Sequence, residues 1–254
     1  MSRQVIPQSL LANPAQIPLR SVDAIASGAT LVVAPHPDDE CLGCGGAIAL
    51  LRQLNNAVNV VVVSDGTGSH PNSRRYPAPA LRALREQESR AALSHLGVMP
   101  NQVTFLGLKD GAVPTRISPD FDAALTQIKT YLKTLSPQTV FLPWRRDPHA
   151  DHRATWELFT AAMTQMKVSI CLEYLIWDWD PAQRGDAPLP SDLTPWRLDI
   201  SSVVDLKQQA IAQYRSQITN LIDDDPEGFC LTPEMLAHFA HPWELYLETH
   251  YGPS

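Results

Sequence analysis

Apolar positions follow two alternating periods along the first two thirds of the chain. Short continuous apolar runs of strand length give way to stretches where apolar residues recur at helical spacing, which is the pattern of βαβ units around a mostly parallel sheet. Residues 29–34 (ATLVVA), 58–63 (VNVVVV), 103–106 and 140–142 read as buried strands. Residues 40–54, 81–96, 121–135 and 151–166 read as helices. In the third of these Phe121, Leu125, Ile128, Leu132 and Leu135 share one face, and Gly97 and Pro100 stop the second. Glycines inside residues 40–54 let that helix lie close to the sheet. The last third is less regular: 170–177 reads as a strand, 181–195 as a loop and 203–218 as a helix. The Pro-rich residues 186–195 and the acidic Asp223-Asp224-Asp225-Pro226 read as surface connections. The predicted fold is α/β: a Rossmann-like, mostly parallel sheet flanked by helices on both faces, with a less regular C-terminal third. One domain is expected over 1–254, comprising an N-terminal extension (1–27), a core (28–168) and a C-terminal part (169–254).

Composition narrows the function. The 254 residues carry 20 Lys+Arg against 27 Asp+Glu, a net charge of −7, which disfavours a general nucleic-acid or anionic-membrane surface. With 44% hydrophobic residues, disorder is excluded. No apolar run reaches the roughly 18 residues of a membrane span, because residues 42–51 contain glycines and close at Arg52. The first residues lack an apolar segment ending in a small-residue cleavage site, so a cytoplasmic protein is expected. Cys41, Cys44, Cys171 and Cys230 are few and unevenly spaced, as reduced thiols are. Oligomeric state has no signal in the sequence.

Polar residues collect where the strands end. Pro35-His36-Pro37-Asp38-Asp39-Glu40 follows the first strand, Ser64-Asp65-Gly66 the second, Lys109-Asp110-Gly111 the third, and Trp144 to His152 (WRRDPHADH) the fourth. Parallel strands bring these carboxyl ends to one edge, where open α/β sheets bind ligands. His36 and Asp39 can then face one point, and His152, in the first turn of a later helix, can supply a third ligand. Two imidazoles and a carboxylate form a catalytic zinc shell with an open position, although other divalent ions accept the same ligands. Asp38 is left over as a base for the metal's water, and His149, paired with Asp151, can stay protonated to stabilise an oxyanion or donate to a leaving amine. Each alone has a plainer reading, Asp38-Asp39 as a helix N-cap for instance. Together, the three adjacent acids at one strand end and His-x-Asp-His at another would be costly in mutual repulsion without a cation to hold them.

The first motif, with Gly45-Gly46 after it, and His149-Ala150-Asp151-His152 resemble the two signatures of the PIG-L/LmbE-like family of zinc-dependent N-acetyl deacetylases. Weaker matches lie at Ser64-Asp65-Gly66, around Arg85 and Glu88, and at Asp199, Lys207, Tyr214 and Ser216-Gln217. The family often has Pro where this chain has Ala150. The resemblance implies a Rossmann-like fold and hydrolysis of an N-acetyl group on an amino sugar or larger glycoconjugate, such as one bearing N-acetylglucosamine. By motif, His36, Asp39 and His152 would bind Zn2+, Asp38 would be the general base, and His149 would stabilise the tetrahedral intermediate with Asp151 orienting it.

Substrate contacts are expected from Ser64, Asp65 and Arg85, the last with a helix-surface salt bridge to Glu86 or Glu88 as its plainer role. The loop 66–79 is a candidate lid, and Arg74 and Arg75 in it, with Arg145 and Arg146, a candidate rim for an anionic substrate. Trp144, Trp177 and Trp179 are candidates for stacking on a sugar. Two other functions compete. Gly43-Cys44-Gly45-Gly46 with Asp65 suggests a dinucleotide- or SAM-binding Rossmann domain, but Ile48 stands where the third glycine belongs and three acids crowd the phosphate position. A non-catalytic carbohydrate-binding relative would leave Asp38 without a role. Cys41-x-x-Cys44 as a redox pair is the weaker alternative to small packing residues.

Overall fold

The computed structural model describes residues 13–177 and 188–249. Residues 181–187 of the expected loop, Trp179 and residues 1–12 of the extension lie outside the described residues. In chain order the elements are β1 (Leu19–Arg20), β2 (Thr30–Ala34), α1 (Asp39–Gln53), β3 (Val58–Ser64), α2 (Ala78–His95), β4 (Val103–Leu108), α3 (Phe121–Leu135), β5 (Thr139–Pro143), α4 (Ala150–Met163), β6 (Ile170–Tyr174), β7 (Leu193–Asp199), α5 (Val204–Ile211), α6 (Arg215–Ile218), α7 (Pro233–Ala237) and β8 (Trp243–Thr249). The strands form one eight-stranded sheet in the order β1-β7-β8-β6-β5-β2-β3-β4, parallel except where β8 runs against β6 and β7.

The β-branched strands are buried on both faces, as a sheet covered by two helix layers requires. Val32, Val60 and Val62 pack with α1, α2 and α5 on one side; Leu31, Val33, Val61 and Val63 pack with α3 and α4 on the other. The α/β architecture and its strands and helices from β2 through α4 are those expected from the sequence. No helix among the described residues is long and apolar enough to cross a membrane.

The last third departs from expectation. The single helix expected over 203–218 breaks into α5 and α6, because the chain leaves helical geometry before Tyr214 (φ −79°, ψ 56°) and sets that buried side chain against Glu40. Residues 193–195, expected in a loop, begin β7, and α7 and β8 were not expected at all. Part of the N-terminal extension joins the sheet through β1, paired with β7.

The glycines of α1 set its closeness to its neighbours. A Cβ on Gly43 would lie 2.3 Å from the Tyr174 ring, and one on Gly46 2.5 Å from Ile200. Gly45 similarly faces the stem of Lys207, whose ammonium is paired at 2.8 Å with buried Glu244. These glycines are therefore packing residues covered by side chains, which removes the phosphate cradle that a dinucleotide fingerprint needs.

The topology also places the site. β2 and β5 are neighbours, but the chain leaves them in opposite directions across the sheet, to β3 and to β6. Their carboxyl ends flank the switch point where open α/β sheets form a crevice.

Candidate metal centre and catalytic site

The turn after β2 is built by its own polar side chains. The His36 backbone N–H donates to Asp39 Oδ2 at 2.9 Å, and that of Asp38 donates to Glu40 Oε2 at 3.0 Å. Asp38 has φ 124°, a left-handed conformation that costs a non-glycine residue on the order of 1–3 kcal/mol and persists only where the surroundings enforce it. Here Arg85, itself only 3% exposed, reaches from α2 to Asp38 Oδ2 at 2.9 Å and to the carbonyls of Pro37 and Gly66. At the end of β5, His149 caps α4: its Nδ1 accepts the Asp151 backbone N–H at 3.2 Å. His152 sits in the first turn of that helix.

Three side-chain atoms from these two strand ends form a nearly equilateral triangle. His36 Nδ1 is 3.3 Å from Asp39 Oδ2, His152 Nε2 is 3.2 Å from the same oxygen, and the two nitrogens are 3.3 Å apart. Ligands at about 2.0–2.1 Å from a tetrahedral zinc ion are separated by about 3.3 Å, so the triangle matches three corners of such a shell. Charge agrees with geometry. Burial would lower both imidazoles, yet Asp110, Asp151 and Asp39 hold His36 well above its usual range, and Asp39 and Asp147 hold His152 up to about 9. Burial would raise Asp39, but His152 and His36 hold it well below the carboxylate range. Two imidazole nitrogens facing each other beside a carboxylate call for positive charge between them, and the donor set fits a divalent metal ion.

Two other trios share His36: one with His149 and His152, one with Asp110 and Asp151. The second is already occupied. Asp151 accepts the backbone N–H of Gly111 at 2.7 Å and of Val113 at 3.1 Å, and Asp110 accepts that of Gly68 at 2.8 Å. Both carboxylates lie 3.2 Å from His36 Nε2, where they orient its N–H and leave Nδ1 facing the triangle as the atom that could hold a metal. His152 Nδ1 lies 3.4 Å from Asp147 Oδ1, an ion-pair separation too long for a good hydrogen bond.

The geometry corrects the expected pairing of His149 with Asp151. The Asp151 carboxylate turns to His36, and only its backbone N–H meets His149. Burial lowers His149, and His36 and His152 lower it further, while its Nδ1 accepts the Asp151 N–H and leaves Nε2 to face the cavity side as the donor. Asp38 lines a cavity of about 310 Å³ beside the triangle, together with His36, Asp39, Asp110, His149 and Arg85. Burial pushes its carboxyl up to about 8, with Arg85 opposing. The apolar wall of the cavity comes from Leu42, Trp177, Phe229 and Leu231.

Other candidates fall elsewhere. Arg85 makes no salt bridge on the helix surface; Arg82 makes the i,i+4 pair with Glu86, at 2.7 Å. Ser64 is buried in the strand end, where its N–H donates to the Pro35 carbonyl. Asp65 folds onto its own turn, accepting from Thr67 and from the Asp110 N–H, and so positions Asp110. The candidate rim is used internally. Arg75 pairs with Asp223, Arg145 with Glu173 and Asp192, and Arg146 donates to the Pro188 carbonyl, while Arg74 enters the loop's framework through its backbone. Asp224 accepts from Ser73 Oγ and from the N–H groups of Arg74 and Arg75, so the acidic run anchors the loop 66–79 instead of merely connecting elements. Trp144 is buried in a small apolar cluster away from the cavity. Sequence reasoning assigned no role to Asp110 or Asp147, although both stand in strand-end clusters, which was the available signal.

Comparisons with known proteins converge. The family model described as PIG-L: GlcNAc-PI de-N-acetylase matches residues 31–163. A probable N-acetyl-alpha-D-glucosaminyl L-malate deacetylase 2 of Bacillus subtilis (strain 168) is 26% identical over 201 residues, 76% of this chain and 84% of the relative. The N,N'-diacetylchitobiose deacetylase of Pyrococcus horikoshii superposes with a TM-score of 0.64 at 22% identity, covering 89% of this chain and 86% of that one. GalB, the 4-carboxy-2-hydroxymuconate hydratase of Pseudomonas putida KT2440, superposes with a TM-score of 0.58 at 19% identity, covering 89% and 97%. Likeness at these identities establishes the fold, which houses more than one reaction.

Proposed function

The chain belongs to the PIG-L family of GlcNAc-PI de-N-acetylases, and from that premise we propose that it is a zinc-dependent hydrolase that removes an N-acetyl group from an amino-sugar-containing substrate. The observation that carries the reading is the triangle of His36 Nδ1, Asp39 Oδ2 and His152 Nε2, with edges of 3.2–3.3 Å, opening on a cavity walled by Asp38 and His149. Bound there, a zinc ion supplies Lewis acidity, polarising a carbonyl and lowering the pKa of water.

Asp38 is the general base. Arg85 occupies its Oδ2 and holds the side chain in place, which leaves the other oxygen to take a proton from the attacking water and return it to the departing nitrogen. Burial raises the Asp38 carboxyl while the Arg85 guanidinium, 2.9 Å from its Oδ2, favours the ionised, proton-accepting form. His149 donates from Nε2 to the amide oxygen as it gains negative charge, a role suited to a pre-oriented imidazole. Asp110, Asp151 and Asp147 orient the two ligand histidines. The apolar strip of Leu42, Phe229 and Leu231 suits the less polar face of a sugar ring.

Elemental analysis and acetate release from a panel of N-acetylated glycosides test this. Asp38→Asn is expected to retain the metal and lose about 10²–10⁴ of kcat, whereas His36→Ala and His152→Ala lose the metal. Full activity of Asp38→Asn, or full metal content in both histidine variants, overturns the assignment.

A further inference from the structure

Gln217, on α6, is fully buried, borders the cavity, and carries a side-chain carbonyl oxygen with no hydrogen-bond partner among the described residues. Its orientation follows from its neighbours. Ser216 gives its hydroxyl proton to Glu88 Oε2 at 2.6 Å, and its backbone N–H donates to Glu88 Oε1 at 2.8 Å. The Ser216 oxygen can then only accept, so the Gln217 atom 3.0 Å from it is the amide nitrogen. Ser69 gives its proton to the Gly66 carbonyl at 3.3 Å and accepts the second Gln217 N–H at 3.4 Å. Both amide donors are used, and Oε1 is the atom left over.

An acceptor closed off from bulk water and left unpaired is costly, and native proteins rarely keep one without a partner. Gln217 is also held in place from several sides: Glu88 on α2 fixes Ser216, and the Gln217 backbone carbonyl accepts the N–H of Leu231 at 2.7 Å, itself a cavity residue. We propose that Gln217 is a specificity-determining residue whose side-chain oxygen accepts a hydrogen bond from a hydroxyl of the sugar in the cavity, with Leu231 packed against the adjacent carbon face. A rigid, neutral acceptor selects a neutral hydroxyl donor, and a site built around a donor rejects the analogue that lacks it.

The inference rests on the deacetylase reading for its probes, which are methyl N-acetylglucosaminide and its 3-, 4- and 6-deoxy analogues. Dissociation constants are measured by calorimetry on the zinc-loaded full chain, and acetate release is followed in parallel. Wild type is expected to bind one deoxy analogue about tenfold more weakly than the parent. Gln217→Leu is expected to bind parent and that analogue equally, with zinc content unchanged. Discrimination of less than twofold by wild type against every analogue overturns the proposal without any variant having to fold, as does a Gln217→Leu protein that keeps the wild-type ratios. Discrimination that vanishes in Gln217→Leu while no acetate is released sustains the Gln217 contact and overturns the hydrolase reading; no binding of any probe overturns both.

Discussion

Gly43→Ala adds one carbon in the second turn of α1, close to the His36–Asp39–His152 triangle. The new Cβ would lie 2.3 Å from Tyr174 Cδ2 and 2.8 Å from Cε2, whereas carbon atoms rest at about 3.5 Å or more, so helix and ring must part by on the order of 1 Å. The ring has little freedom to yield: it is fully buried, and its hydroxyl donates to the Val33 carbonyl at 2.7 Å. Alanine favours helix over glycine by about 1 kcal/mol, against about 1–3 kcal/mol for overpacking a tight interior; the net expectation is a loss of about 0–2 kcal/mol, towards the upper end because the contact is with a fixed, fully buried ring. The larger effect is on the site, because α1 begins at Asp39 and its displacement moves one corner of the ligand triangle. A 1 Å misplacement of a reacting constellation costs about 10² in rate. Denaturant melts, zinc affinity by chelator competition and kcat/KM on the same preparation test this. A variant with helix-propensity stabilisation of about 1 kcal/mol and unaltered zinc affinity would show that α1 is not seated as tightly as described.

Asp147→Asn removes the carboxylate behind His152 and should weaken zinc binding about 10–100-fold, read by the same competition; unchanged affinity would mean that the 3.4 Å contact does nothing for the ligand. His149→Ala should lower kcat about 10²–10³-fold with zinc content unaltered, and a normal kcat would remove it from the chemistry. Asp224→Ala should speed hydrogen exchange at the amides of Arg74 and Arg75, which donate to it; exchange at the wild-type rate would mean the loop is held by other contacts.

The part of the fold visible in the sequence is the part where burial and residue type agree. Strands such as β3, five valines in seven residues and buried on both faces, announce themselves, and so does the one-faced helix α3. β8 hides because its buried positions include Glu244, which on the page looks like a solvent residue. Inside the protein that carboxylate pairs with Lys207 and accepts the N–H groups of Gly46 and Ala47, a match no local pattern displays. β7 hides behind Pro195, and the α5–α6 break behind an apolar periodicity that runs on across it. In the candidate site, the convergence of His36, Asp39 and His152 at neighbouring strand ends was readable from the motifs. Which carboxylate faces which imidazole was not, since Asp151 is near His149 in sequence yet turns to His36 across the crevice. Gln217 went without a role for the same reason: its partners, Ser69 and the cavity, are brought to it only by the fold.

The place of β8 in the sheet has a kinetic consequence. Among the described residues it alone links β7 and β1 to the parallel strands, and it is made by residues translated after the other described strands. A nascent chain can assemble the parallel portion early, but two strands must wait as unpaired edges until the ribosome has released the segment that bridges them. Those edges are the most aggregation-exposed surfaces during biosynthesis, and a chain cut short near residue 240 would leave them so permanently.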